Sequence, residues 1–114
     1  MYNEKRIAVV IPAYNEQLLI SRTLDSVPEF VDHVVVIDDC SQDETVSEIQ
    51  RYTARCPERY HLIEHAVNQG VGGAIAGGYV WCRDHAVDVA VVMAGDNQMD
   101  PADMPALLDP VVAG

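Results

Sequence analysis

Asp38 and Asp39 stand side by side where an apolar run, 33–37, gives out, and Ser41 and Asp43 follow them. Acidic residues and serine favour helix starts, because of the exposed N–H groups and the helix dipole. That role is sufficient for Ser41 and Asp43. It does not explain two adjacent carboxylates directly after an apolar run, and Asp39 is read as a ligand group. Its carboxylate can accept from the imide N–H of uracil, or from the N1–H and amino group of guanine. Further on, Asp96, Gln98 and Asp100 alternate. Oxygen donors two residues apart in an extended segment project from one side, and hard divalent cations such as Mg²⁺ or Mn²⁺ take oxygen ligands. Asp100 is read as a helix N-cap ahead of Pro101. Asp96, with Gln98 nearby, is left as the candidate metal group.

Both clusters follow runs that read as strands, and two further runs end the same way. Residues 7–11 lead into Pro12, Ala13, Tyr14, Asn15 and Glu16; 33–37 into the acidic cluster; 60–63 into Glu64, His65 and the glycine-rich stretch 68–78; 89–93 into 94–100. Strand and helix patterns alternate along the chain, which predicts a Rossmann-like parallel α/β sheet with helices on both faces. Three of the runs are apolar almost throughout, as strands buried on both faces should be, and the third in order is more polar. In such a sheet the carboxyl ends share one edge, and ligands bind in the crevice outside it. Four distant segments therefore converge on one site.

The spacing predicts a first helix over 16–26, with Ile20, Leu24 and Val27 inward and Pro28 as its stop. A second is expected from Ser41, where Ser41-x-x-Glu44 fits a capping box, with Val46, Ile49, Thr53 and Cys56 inward. A third starts within 70–74 and runs to about Asp84, with Ala74, Gly78 and Trp81 on one face. A fourth carries Met104, Leu107, Leu108 and Val111. Gly77 and Gly78, inside the third helix, are expected to allow close helix–sheet packing. Gly70 to Gly73 fit either packing or close approach of the backbone to a phosphate or sugar.

At 114 residues, with 49% hydrophobic and 22% charged residues, the composition is that of one ordinary globular domain or part of one. The chain carries 18 acidic against 7 basic residues, a net charge of −11. The basic residues form no stripe that could track a nucleic-acid backbone, and that partner class is set aside. None of them follows a strand's carboxyl end, so a diphosphate there would need a divalent ion and helix N-termini. Cys40, Cys56 and Cys82 lack disulfide or zinc-site spacing and read as reduced thiols. The histidines His33, His61, His65 and His85 are scattered, make no zinc site and read as partly exposed bystanders. No apolar run reaches the length of a membrane span, and a cytoplasmic location is expected.

Against these motifs a family resemblance becomes specific. Val9-Val10-Ile11-Pro12-Ala13-Tyr14-Asn15-Glu16 resembles the opening of family 2 glycosyltransferases. Asp38-Asp39-x-Ser41-x-Asp43-x-Thr45 resembles their second signature, Asn68-x-Gly70-x-Gly72 with Ala74 their third, and 95–101 the region of their metal motif. The nearest likeness is to the dolichyl-phosphate mannosyltransferase-like branch. The resemblance implies a glycosyltransferase A-type fold and a UDP- or GDP-linked sugar donor, with a polyprenyl phosphate or glycan as acceptor. It implies that Pro12, Ala13, Tyr14 and Glu16 hold the nucleoside and that Asp39 reads the base. Asn68, Gly70 and Gly72 belong to the donor site, and Asp96 with Gln98 holds Mg²⁺ or Mn²⁺. The family's first metal-motif aspartate would fall at position 94, where this chain has Ala94. Residues 1–114 are expected to be the donor-binding portion of a larger domain, because the family's acceptor-binding half follows the metal motif.

Other classes fit less well. A non-catalytic nucleotide-sugar-binding fragment would share the same motifs. A nucleotidyltransferase would show a glycine-rich loop with basic residues after the first strand, and 12–16 has neither. A receiver-type signalling domain would place its acidic pair after the first strand and a lysine late in the chain, whereas the only lysine is Lys5.

Overall fold

A computed structural model describes residues 5–93. Four strands, β1 (Ile7–Ala13), β2 (His33–Asp38), β3 (Tyr60–Glu64) and β4 (Val89–Val92), alternate with three helices, α1 (Ile20–Ser26), α2 (Thr45–Arg55) and α3 (Gly70–Asp84). Every pairing is parallel, in the order β3-β2-β1-β4. The Rossmann-like architecture expected from the alternation is present. The residues 94–114, with Asp96, Gln98, Asp100 and the fourth helix, lie outside the described residues.

β1 and β2 are central, and their unbroken apolar sequence is the reason. Successive side chains on a strand point to opposite faces, so a strand covered on both sides must be apolar at every position. Val9, Ile11, Val34 and Val36 pack with Ile20, Leu24, Ile49 and Tyr52 of α1 and α2. Ala8, Val10, Val35 and Ile37 face the other way and pack with Ala74 and Cys82 of α3. The chain steps outward from β1 through β2 to β3, then returns across the sheet to β4. With right-handed crossovers, that reversal requires α3 to lie on the face opposite α1 and α2.

The strand bounds sit close to the sequence reading, with β1 two residues longer and β4 ending at Val92. Two helix starts differ. α1 begins at Ile20, not at 16; residues 16–19 form a lead-in turn, with Leu19 and Ile20 N–H on Glu16 O, whose first N–H groups, Glu16 and Gln17, are taken by Thr45 Oγ1 and Asp43 Oδ2. The capping box at Ser41 does not form. Ser41 Oγ accepts instead from Asn15 N–H at 2.9 Å, and α2 starts at Thr45.

The inward face of α2 is Thr45, Ile49 and Tyr52, replacing the expected Val46, Thr53 and Cys56. Tyr52 wins that face because its ring packs into the core while its hydroxyl reaches Asp25 Oδ1 at 2.7 Å and Ser21 O at 3.2 Å on α1. α3 spans the expected residues, but its buried face is Ala74, Gly78 and Cys82, with the expected Trp81 only half-buried at its margin, and of the two glycines Gly78 alone packs tightly on the sheet while Gly77 does not.

Candidate functional site

The carboxyl ends of β1 and β2 are joined by a lattice of side-chain to backbone bonds. Asn15 turns with φ 52° and directs its amide oxygen at Gln42 N–H, 2.8 Å away, while its own N–H meets Ser41 Oγ. Gln17 Oε1 accepts from Glu44 N–H at 2.8 Å. Asp43 accepts from the N–H and the hydroxyl of Thr45, and Thr45 Oγ1 in turn accepts from Glu16 N–H. The Ser-x-Asp-x-Thr spacing thus works across 26–29 residues of sequence to fix the segment 14–17. Pro12 is half-buried, Ala13 is buried within β1, and Tyr14 stands 46% exposed at the rim.

A second junction centres on Asp39, which is 4% exposed. Its Oδ1 accepts from Gln69 N–H at 2.7 Å and lies 3.1 Å from His65 Nδ1; its Oδ2 accepts from Gly70 N–H at 2.8 Å. Asn68 Nδ2 donates to the Asp39 carbonyl at 3.2 Å, and Asn68 Oδ1 accepts from Gly70 N–H at 3.0 Å. α3 receives no side-chain cap from Gln69, so Asp39 caps the helix from a different strand. Gly70 has φ +78°, a backbone conformation that favours glycine. A Cβ on Gly70 or Gly72 would meet nothing within 4 Å, so packing is not what keeps side chains off this turn.

Burial disfavours the ionised form of Asp39, but bonds from Gln69 N–H, His65 and Gly70 N–H outweigh it and hold the carboxyl below its ordinary value. Of about four acceptor sites on a carboxylate, three are engaged and one remains. Asp38 is buried behind it, with Oδ2 accepting from Ser41 N–H at 3.1 Å. Its Oδ1 has no hydrogen-bond partner among the described residues.

His65 is the site neighbour that motif reading missed. A histidine directly after β3 was the available signal. The register pairs Asp38 with Glu64, so the next residues on each strand, Asp39 and His65, leave the sheet side by side.

The strand order reverses between β1 and β4, and crevices in such sheets open at that point. The 12–16 segment leaves β1 there. Met93, whose N–H meets Val10 O at 3.0 Å, leads into 94–100 from the adjacent strand. Asp39 and Asn68 to Gly72 lie one and two strands away on the same edge. A cleft of about 370 Å³ beside β1 is lined by Asn15, Glu16, Gln17, Leu18, Leu19 and Asp43. It takes in Glu16 but not Asp39.

This edge can be compared with known proteins. The family model for glycosyl transferase family 2 matches residues 8–114. The chain is 34% identical over 110 residues to an undecaprenyl-phosphate mannosyltransferase of Micrococcus luteus, covering 93% of this chain and 44% of that protein. It is 32% identical over 114 residues to a polyprenol monophosphomannose synthase of Mycolicibacterium smegmatis, covering 96% and 42%. The chain spans less than half the length of these relatives.

Among solved structures it is similar to the mannosyltransferase PcManGT of Pyrobaculum calidifontis, determined in complex with GDP-Man and Mn²⁺. The TM-score is 0.80 at 25% identity, over 99% of this chain and 34% of that one. It is also similar to glucosyl-3-phosphoglycerate synthase of Mycobacterium tuberculosis, determined with Mn²⁺, UDP and glucosyl-3-phosphoglycerate. There the TM-score is 0.69 at 26% identity, over 97% and 41%. The parallel sheet with its polar carboxyl edge is thus the glycosyltransferase A-type fold. With the family match running from β1 to the last residue, the chain belongs to glycosyl transferase family 2, in its polyprenyl-phosphate mannosyltransferase-like branch.

Proposed function

We propose that this chain is the donor-binding portion of a glycosyltransferase that moves a sugar from a nucleotide-diphospho-sugar to a polyprenyl phosphate. The observation that carries the reading is the shared edge: residues 12–16, Asp39 and the Asn68 to Gly72 turn leave three adjacent parallel strands on the side where β4 leads into 94–100. In this reading Pro12, Ala13, Tyr14 and Glu16 contact the nucleoside. The remaining acceptor site of Asp39 takes a base N–H, and the open turn at Gly70 and Gly72 admits the sugar or phosphate.

The donor set also suits a divalent ion. Asp96 and Gln98 offer hard oxygen ligands, and the carboxyl edge of the sheet is acidic at Glu16, Asp38, Asp39 and Asp43, without lysine or arginine among the described residues. The ion would supply Lewis acidity toward the leaving nucleoside diphosphate. In the transfer an acceptor phosphate oxygen bonds to the anomeric carbon, and the bond from that carbon to the diphosphate breaks.

The mannose-transferring relatives favour GDP-mannose as donor, and the UDP-bound synthase keeps a uridine donor as the second reading. Full-length protein incubated with GDP-mannose, Mn²⁺ and a polyprenyl phosphate should form a mannosyl lipid. Asp39→Ala should weaken the preferred nucleotide by roughly 1.5–3 kcal/mol, as for a lost hydrogen bond to a charged group. No glycolipid from GDP- or UDP-linked sugars would overturn the activity. Unchanged nucleotide affinity in Asp39→Ala would reduce Asp39 to a helix cap.

A further inference from the structure

We infer that His65 is a positioning residue of the donor site, acting through Nδ1–H on Asp39 and not on the ligand itself. The inference rests on the donor-binding reading above.

An ionised carboxylate only accepts, so the ring nitrogen 3.1 Å from Asp39 Oδ1 must be the one that carries hydrogen. That assigns Nδ1–H and leaves Nε2 on the far side of the ring. Nε2 faces Gly77 of α3, where an added Cβ would sit 3.5 Å from it. The two side chains are 11% and 6% exposed, so the pair is enclosed between β2, β3 and α3. The backbone of His65 is held independently, its N–H meeting Asp38 O at 2.8 Å. The imidazole therefore has little to do for the fold of β3, and what it meets is Asp39.

The consequence concerns direction. Terminal carboxylate torsions are broad and nearly unbiased by local sterics. Asp39 is fixed only by what donates to it: Gln69 N–H and Gly70 N–H from the α3 turn, and His65 from β3. The two backbone donors both lie on one side, at the start of α3. They take one site on each oxygen, and His65, the donor from a second element, takes the second site on Oδ1, so the remaining acceptor site is left on Oδ2. His65 also ties that orientation to the turn carrying Gly70, so the base contact and the glycine turn are set together.

The test exploits the two ring nitrogens. Asparagine places its amide N–H close to the position of Nδ1, and glutamine places its amide close to Nε2. In full-length protein, His65→Asn should bind GDP and UDP within about twofold of the unaltered protein. His65→Gln and His65→Ala should lose about tenfold on the preferred nucleotide, as for one charged hydrogen bond. Hydrogen exchange at the Gln69 and Gly70 amides, followed without nucleotide, should quicken in His65→Gln and stay slow in His65→Asn.

The opposite order, with Gln tolerated and Asn not, would mean that Nε2 touches the ligand and would overturn the inference. Equal affinity in all variants, or equal loss in both Asn and Gln, would overturn it as well. Failure of the unaltered protein to bind either nucleotide would remove the donor-binding reading itself. A normal wild type with indifferent His65 variants would remove only this inference.

Discussion

Gly78 lies directly against Val10: a Cβ on Gly78 would sit 2.2 Å from Val10 Cγ1 and 3.0 Å from Ile37 Cδ1. α3 thus rests on the middle of the sheet through a bare patch of helix, and its first turn, with Gly70 and Gly72, is held at the edge by that contact. Gly78→Ala should destabilise the fold by about 1–3 kcal/mol through overpacking, although alanine is the better helix former by about 1 kcal/mol. Gly77→Ala is the control. Its Cβ would make only ordinary contact, and the variant should match or exceed the parent. Denaturant midpoints decide, and a Gly78→Ala protein as stable as the parent would refute the packing argument.

Asp43 ties the loops after β1 and β2 and should make stability acid-sensitive. Burial pushes its carboxyl up, but the hydroxyl and N–H of Thr45 and the N–H of Gln17 outweigh that and hold it below 3.8. A carboxyl lowered on folding binds fewer protons in the native state. Its contribution is present above pH about 4 and is lost as pH falls through the folded value. Asp43→Asn should flatten the acid limb of the stability profile and quicken amide exchange at Gln17. An acid limb unchanged by the substitution would exclude this role.

His61 should act in the opposite chemical sense but with the same slope. Burial, then the charges of His33 on β2 and His85 just past the end of α3, push its imidazole below 6.5. His33 Nδ1 lies 3.1 Å from His61 Nε2, and the Trp81 ring, stacked on His85, packs 4.6 Å from the His61 ring. The unfolded chain takes the proton at about pH 6.5 while the folded chain resists it. Stability is therefore full above that pH and declines below it, until the folded value is passed. Trp81 is the only tryptophan, so its fluorescence reports this cluster alone. His61→Asn should shrink the loss of stability between pH 7.5 and 5, and an identical profile would contradict the assignment.

Asp96 comes after β4 in the sequence, outside the described residues, and the proposal that it holds the metal is tested by nucleotide binding. Nucleoside diphosphate affinity should be about tenfold or more weaker, about 1.4 kcal/mol, in EDTA or in Asp96→Asn than with Mn²⁺ and the unaltered protein. Because Ala94 removes one possible carboxylate, Mn²⁺ alone should bind weakly and gain affinity when nucleotide is present. Calorimetry in the three conditions checks this, and equal affinities would leave Asp96 without a metal role.

Much of this arrangement was legible in the chain. The β-branched runs at 7–11 and 33–37 identified the buried central strands, since a strand covered on both faces is apolar; the equally apolar run at 89–93 also forms a parallel strand, but at the end of the sheet order, where β4 is only half-buried. The bounds of α3 and the packing role of Gly78 followed from glycine placement and helical spacing. The capping box at Ser41 was misleading for a physical reason. A serine hydroxyl accepts equally well from an N–H three residues away or from one 26 residues away, and local spacing cannot choose between them.

The sequence by itself determined which segments are strands, which are helices, and that polar clusters follow every strand, because periodicity and side-chain type act over a few residues. Tertiary structure decided what those clusters do to each other. The parallel register of β2 and β3 sets Asp39 beside His65, and the return of the chain from β3 to β4 seats α3 against both. Ser41 and Asp43 consequently serve the loop after β1, while Asp39 caps α3. Those partners are chosen by where each strand ends relative to its neighbour, a quantity that exists only once the sheet is assembled.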